Sequence, residues 1–214
     1  MKTQYHYISI EGNIGAGKTT LARMVSTHLH SRLILEEFED NPFLPLFYQN
    51  PDRYALQTEL TFLTDRYKQL SSLLVSMSLF EPVTVSDYYI YKSRLFARNN
   101  LNDDDFRLYG KIFSIVESAL PKPDLMIYLH QKPQQLLTNI RKRGRAYEEH
   151  ITEGYLDSIQ QAYLSYIRAE QRFPILLIEM EDIDFLKNKQ DFSHIVDLLR
   201  QTFSPGLHRI SMTE

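Results

Sequence analysis

The chain has 214 residues, 43% of them hydrophobic and 24% charged, with a formal net charge of -3. That length suits one domain with a sizeable core, and the balance argues against disorder and against the strong basic field of a nucleic-acid binder. No apolar run approaches the ~20 residues of a membrane span, and the absence of cysteine excludes disulfides, thiolate metal sites and cysteine nucleophiles.

Taken in chain order, Tyr5-His-Tyr-Ile-Ser-Ile10 is a short alternating, β-branched run and predicts a strand. It starts too near the N-terminus to leave room for a signal peptide, so a cytoplasmic protein is expected. Next comes Gly12-Asn-Ile-Gly-Ala-Gly-Lys-Thr19, the G-x-x-x-x-G-K-T pattern of a phosphate-binding P-loop. Its glycines let backbone N–H groups close around a polyphosphate, and a helix N-terminus behind it favours anionic charge. Gly12, Asn13, Ile14, Gly15, Ala16, Gly17, Lys18, Thr19 and Thr20 are the expected triphosphate contacts. Lys18 should reach the β- and γ-phosphates, and the Thr19 hydroxyl should hold Mg²⁺. Thr20 to Leu29 then predicts a helix with Leu21, Met24, Val25 and Leu29 on one face.

Four more apolar runs follow: Arg32 to Leu35, Pro82 to Asp87, Asp124 to Leu129 and Pro174 to Glu179. Each is short, nearly continuous and separated from the next by helical sequence, as strands buried on both faces of a parallel sheet are. The expected architecture is a five-stranded parallel sheet with helices on both faces, a single domain over 1–214 with its ligands at the carboxyl ends of the strands. A long helix from about Asp52 to about Met77 carries Leu56, Leu60, Leu63, Tyr67, Leu70, Leu74 and Met77 as an apolar stripe. That stripe reads first as core packing and second as a subunit interface; a homo-oligomer, dimer or higher, is expected.

Three charged clusters sit where a P-loop enzyme needs them. Asp87 closes the third apolar run, where a carboxylate beside the P-loop is a second partner for Mg²⁺; the competing role is a helix N-cap. Glu36 and Glu37 end the second strand, and period-two alternation lets only one of them face the cleft as a base for a hydroxyl acceptor. Arg141-Lys-Arg-Gly-Arg145 ends the helix that starts near Pro133, and its charge density predicts a lid, about residues 139–150, that folds over the triphosphate. Asn188-Lys-Gln-Asp191 matches the guanine-reading N-K-x-D of GTPases. It lies about ten residues past the last strand and no D-x-x-G accompanies it, so it is set aside.

Together these residues resemble the deoxyribonucleoside kinases that are not of the thymidine-kinase-1 type, especially the bacterial deoxyadenosine/deoxyguanosine kinases. Beyond the P-loop, the resemblance rests on Asp40-Asn-Pro-Phe-Leu-Pro-Leu-Phe-Tyr48, Asn50-Pro-Asp-Arg-Tyr54, Phe62-Leu-Thr-Asp-Arg-Tyr67, Lys142-Arg-Gly-Arg145, Glu148-Glu149 and Tyr155-Leu156. It implies ATP with Mg²⁺ as cofactor and Glu36 as the base for the 5′-hydroxyl of a deoxynucleoside. It further implies Tyr48 and Glu148 on the 3′-hydroxyl, Arg66 facing the base, Phe62 in the apolar wall, and Arg143 and Arg145 as catalytic lid arginines. Three positions depart from the family. Tyr88 stands in the nucleoside site where an arginine is usual, leaving Lys92, Arg94 or a lid arginine to compensate. Asn139 replaces a further lid arginine, with Arg141 a possible stand-in. Glu59 takes the place of a base-reading glutamine.

Glu59 and Arg66, seven residues apart, share a helix face about 10 Å apart along the axis, a spacing that suits a planar base between them. A carboxylate only accepts hydrogen bonds, so it selects amino or ring N–H groups, and thymine fits poorly. The expected reaction is 5′-phosphorylation of a purine 2′-deoxynucleoside in nucleotide salvage, deoxyadenosine ahead of deoxyguanosine. No nucleic-acid or membrane partner is expected. The alternatives are a nucleoside monophosphate kinase of the thymidylate-kinase kind and a non-catalytic P-loop switch.

Overall fold

Strands that read as continuous apolar runs need cover on both faces, and the sequence supplies it by alternating them with helices. In the computed structural model, which describes residues 3–37, 41–76, 83–181 and 183–211, six parallel strands form one sheet in the order β2-β3-β1-β4-β5-β6. They are β1 (Tyr7–Gly12), β2 (Arg32–Ile34), β3 (Thr84–Ser86), β4 (Leu125–His130), β5 (Pro174–Glu179) and β6 (Gly206–Ile210). Five had been expected. The sixth escapes a search for apolar runs because it is an edge strand whose Leu207-His-Arg-Ile210 is only partly buried. An edge strand has one neighbour and carries polar residues for that reason.

Parallel neighbours require crossovers. α1 (Lys18–Leu29) joins β1 to β2; α2 (Leu44–Gln49) and α3 (Pro51–Ser76) join β2 to β3. α4 (Tyr91–Asn100) and α5 (Asp103–Ser118) lead to β4, α6 (Pro133–Arg143) and α7 (Glu153–Ala169) to β5, and α8 (Lys189–Leu198) to β6. Alternation along the strands divides the core into two. Tyr7, Met126, Tyr128, Ile175 and Leu177 pack towards α3, α4, α5 and α7. Ile8, Ile10, Ile127, Leu129, Leu176 and Ile178 pack towards α1, α6 and α8.

The stripe on α3 serves the first of these cores: Leu63 and Leu70 are buried, Leu56 and Leu60 lean on it, and Tyr67 is 37% exposed. The side chain of Leu74 and all of Met77, like Asp40 and Pro82, lie outside the described residues. Among the described residues, no helix is long and apolar enough to cross a membrane.

From β1 the chain passes to β2 on one side and, after β3 fills the gap, to β4 on the other. Connections diverge at the carboxyl end of β1, where open α/β sheets hold their ligands. The opposite end of β1 is pinned by Asp124, whose Oδ2 accepts from the backbone N–H groups of His6 at 2.7 Å and Tyr7 at 2.9 Å. Asp124→Ala should therefore cost about 1 kcal/mol, a drop of about 2–4 °C in Tm for a domain of this size. A thermal melt with unchanged Tm would mean that water serves the two N–H groups equally well.

Candidate active site

The P-loop spans the turn from β1 into α1, and its shape depends on glycine at two kinds of position. Gly15 has φ +82°, and a Cβ there would meet the Leu136 carbonyl oxygen at 2.8 Å and Ile140 Cγ1 at 3.0 Å, because α6 packs directly onto the loop. Gly17, also left-handed at φ +88°, turns the chain into α1, so the N–H groups of Lys18, Thr19 and Thr20 open the helix without intrahelical acceptors. The Asn13 amide fastens the loop by donating to Leu156 O at 2.7 Å, while Lys18 Nζ folds back onto Asn13 O at 2.7 Å. Burial, with Lys92 nearby, pushes the Lys18 ammonium down to about 8.

Asp87 follows β3 and is 3% exposed. Its Oδ2 accepts from the Thr19 hydroxyl at 2.6 Å, and its Oδ1 accepts from the backbone N–H of Glu36 at 2.8 Å. It is not a helix cap, since α4 starts four residues later with Ile90 at its N-cap. Two hard oxygen donors touching beside a phosphate loop fit Mg²⁺, which takes one or two protein ligands and fills its shell with phosphate and water. Among the described residues no cluster of His, Asp and Glu forms a self-contained metal cage, so any ion here would share its shell with the ligand.

Glu36 stands just past β2 and faces the cavity, while Glu37 is exposed. Both Glu36 oxygens are held by cations. Oε1 accepts from Arg66 Nε at 2.9 Å and Nη2 at 2.5 Å, and Oε2 accepts from Lys92 Nζ at 2.5 Å. Burial alone would raise this carboxyl; Lys92 and Arg66 outweigh burial and hold it well below the usual carboxylate range. Glu36 is thus an ionised acceptor. Arg66 was expected to face a base. It lines the cavity with its fork committed to Glu36, with Nη1 on Ser93 Oγ at 2.7 Å and the Phe62 ring 4.8 Å away.

The cavity beside this triad is walled by Leu44, Phe47, Phe62 and Phe96, with Tyr48, Thr58, Glu59 and Asn100 supplying polar atoms. Tyr48 stacks on Tyr147, ring centroids 6.2 Å apart. Glu59 is 2% exposed; Asn100 Nδ2 donates to its Oε1 at 2.7 Å, and Oε2 has no hydrogen-bond partner among the described residues. Tyr88 does not belong to this site. It is fully buried behind Arg66, its ring 6.0 Å from the guanidinium and its hydroxyl donating to Gln69 Oε1. A residue directly after Asp87 points into the core, and the cation beside Glu36 comes from Lys92, one turn later on α4.

Segment 139–150 closes one end of the cavity. Gly144, left-handed at φ 72°, ends α6 and turns the chain so that Arg143 and Arg145 converge on Glu148. Arg143 Nη2 lies 2.6 Å from each Glu148 oxygen, and Arg145 Nη1 is 3.4 Å from Oε1. A larger hollow on the far side of the P-loop is lined by Gln131, Lys132, Asn139, Lys142 and Phe185. Asn139 donates to Gly15 O at 2.9 Å. Lys142 borders this hollow; Arg141 is exposed and lines neither space. Asn188 caps α8 by accepting from Gln190 N and donating to Asp191, which accounts for N-K-x-D as a helix start.

Asn100, Tyr147 and Tyr155 line the cavity; the first two were not singled out in the sequence, and Tyr155 carried the resemblance without a role in the site. Asn100 is the last residue of α4, and only packing of α4 against α3 brings it to Glu59, 41 positions away.

Comparison with known proteins adds an independent line. A family model described as deoxynucleoside kinase matches residues 8–204. Deoxyguanosine kinase of Bacillus subtilis (strain 168) is 38% identical over 193 residues, covering 88% of this chain and 93% of its own length. Deoxyadenosine/deoxycytidine kinase of the same organism is 28% identical, covering 89% of each chain. A solved structure of deoxyadenosine kinase from M. mycoides with bound dCTP matches with a TM-score of 0.76 at 25% identity, over 90% of this chain and 98% of that one.

The buried triad generates a stability prediction. Glu36→Gln leaves two buried cations without their counter-charge and should cost about 3 kcal/mol, whereas Glu37→Gln, on the surface, should stay within about 0.5 kcal/mol. Urea denaturation of both variants measures the difference; equal losses would remove Glu36 from the role of counter-ion.

Proposed function

Since the chain belongs to the deoxynucleoside kinase family, we propose that it transfers the γ-phosphoryl group of ATP to the 5′-hydroxyl of a purine 2′-deoxynucleoside, giving the 5′-monophosphate and ADP. One observation carries the reading: an ionised carboxylate, Glu36, lies between an apolar cavity of nucleoside-like lining and the P-loop lysine. The 5′-hydroxyl donates to Glu36, and its oxygen attacks the γ-phosphorus as the bond to the β,γ-bridging oxygen breaks. Glu36 takes the hydroxyl proton. A carboxylate held this acidic is a weak base, which suits a loose transition state: the proton leaves once the new O–P bond has made the hydroxyl acidic. Lys18, Lys92, Arg143 and Arg145 surround the transferring group with fixed positive charge. Thr19 and Asp87 would hold Mg²⁺, which neutralises charge on the β- and γ-phosphates when bound.

The larger hollow beyond the P-loop takes the donor nucleoside. In the acceptor cavity, Tyr48 and Glu148 take the 3′-hydroxyl, with Arg143 orienting the Glu148 carboxylate. A monophosphate acceptor would need cations free to clamp its phosphate. In the acceptor cavity Arg66 is held by Glu36, and the carboxyl groups of Glu36, Glu59 and Glu148 line the walls where that phosphate would lie. Among purines we place deoxyguanosine ahead of deoxyadenosine, reversing the order expected from the sequence. The 38% identical deoxyguanosine kinase and the buried carboxylate facing the base support that order. The reading extends to cytoplasmic salvage of free deoxynucleosides. It extends also to a homo-oligomer, supported by Leu108 and Ile115, two turns apart on α5 and 51% and 72% exposed.

ADP release measured across deoxynucleosides and their 5′-monophosphates tests the proposal. Turnover confined to monophosphates would make the protein a monophosphate kinase, and ATP binding without turnover would make it a switch. Glu36→Gln should lower kcat by about 10²–10⁴-fold with a smaller change in KM, as removal of a general base does; a near-normal kcat would take that role away from Glu36. A 2′,3′-dideoxynucleoside leaves Tyr48 and Glu148 without their hydroxyl, a cost of about 1–3 kcal/mol. Equal kcat/KM for deoxy and dideoxy substrates would place neither residue on the sugar.

A further inference from the structure

A buried carboxyl that faces a ligand cavity with one oxygen satisfied and the other unpartnered is set up to meet a ligand group. Glu59 is such a carboxyl, and the inference drawn from it rests on the proposal that this cavity receives the nucleoside base. We propose that Glu59 and Asn100 form a proton-dependent base reader, in which the carboxylate accepts from the two-donor edge of guanine and the carboxylic acid pairs with the donor–acceptor edge of adenine.

The geometry decides where a proton can sit. Asn100 Nδ2 donates to Glu59 Oε1 at 2.7 Å, so Oε1 is an acceptor in either state and an acid proton belongs on Oε2. That oxygen is buried and has no partner among the described residues. Ionised, the group offers acceptors to the N1–H and N2–H₂ of guanine, two donors side by side. Protonated, it offers one O–H donor beside remaining acceptor capacity, the complement of N1 and N6–H₂ of adenine. Each state satisfies one base and leaves the other with two donors or two acceptors opposed, and an unmade buried hydrogen bond is costly. An amide in the same place would offer the donor–acceptor arrangement at every pH. A carboxyl can switch.

The surroundings keep both states within reach. Burial pushes Glu59 up to about 7, opposed by Arg66 from its own helix, by the Asn100 bond and by Lys92 from α4, and aided by the negative charge of Glu36 after β2. Among the described residues, the hydroxyls of Tyr48 on α2, Tyr109 on α5 and Tyr155 on α7 also interact with Glu59, all raised above their ordinary range by burial and so neutral throughout, and Lys18, Arg143, Arg145 and Glu148 line the same cavity.

The test is the ratio of kcat/KM for deoxyguanosine to that for deoxyadenosine, measured in one mixture from about pH 5.5 to 8.5, a range in which neither base titrates. Effects of pH on ATP, Lys18 or the phosphoryl step are common to both substrates and cancel in the ratio. In the unmodified protein the ratio should rise with pH, by up to about tenfold per unit, the slope of one proton. A flat ratio with both nucleosides turned over would overturn the proposal, while loss of turnover with both would strike the kinase reading beneath it. Glu59→Gln should give a low ratio that no longer changes with pH; persistence of the slope would assign it to another group. Asn100→Ala removes a donor that stabilises the carboxylate, so it should lower the ratio several-fold at fixed pH and leave the slope in place. A ratio unchanged in Asn100→Ala would remove Asn100 from the reader.

Discussion

The arrangement depends on one chain of charge-assisted bonds. Thr19 on α1 donates to Asp87 after β3, Asp87 accepts from the backbone of Glu36 after β2, and Glu36 binds Arg66 on α3 and Lys92 on α4. Five elements that are distant in sequence meet at two carboxylates. Taking either acid out of water would be prohibitive alone. Because every oxygen of the two acids accepts a hydrogen bond, these bonds tie the ends of β2 and β3 to α1, α3 and α4.

The same constraint shapes the chemistry. Positive charge is placed before any phosphate arrives, in a site where solvent screens it poorly, so little reorganisation remains to be done as the phosphoryl group moves. Lys18 rests on Asn13 O and is destabilised as an ammonium by burial and by Lys92. A polyphosphate relieves both effects at once. Behind it lies a second buried acid, Glu11 on β1, with Oε1 accepting from Tyr89 N at 2.6 Å and Oε2 from the Tyr163 hydroxyl at 2.9 Å. Burial raises its carboxyl, countered first by Lys92 and then by the Tyr89 bond and Lys18. The field at the P-loop is thus set by carboxylates on both sides of the two lysines.

Acid–base pairing therefore has three grades across the cavity. Glu36 is ionised and held by two cations, and Glu148 is gripped by two arginines at the C-terminal end of α6. Glu59 is half satisfied, with its charge balanced close to neutrality. In the proposed reaction the first serves transfer, the second the sugar and the third the base, and the three differ in the number of cations that reach them.

The P-loop, the parallel α/β fold and the opposite facing of Glu36 and Glu37 could be read from the sequence because each is local: a glycine spacing, a run of apolar residues, a period of two. Edge strand β6 could not, since its partly exposed residues lack the signal that buried strands carry. Partner choice was also beyond sequence reading. Arg66 was legible, through the family resemblance, as an arginine facing the base, but its commitment to Glu36 depends on how α3 crosses the end of β2. Tyr88 was placed in the site because it stands where the family has an arginine, yet adjacent residues leave a strand end in opposite directions, and Tyr88 went into the core. Lys92 and Asn100 reached the cavity from the two ends of α4, an alignment that only the packing of α4 against α3 decides. Local chemistry determined which residues this chain has to work with; the crossing of helices over the sheet determined which of them meet.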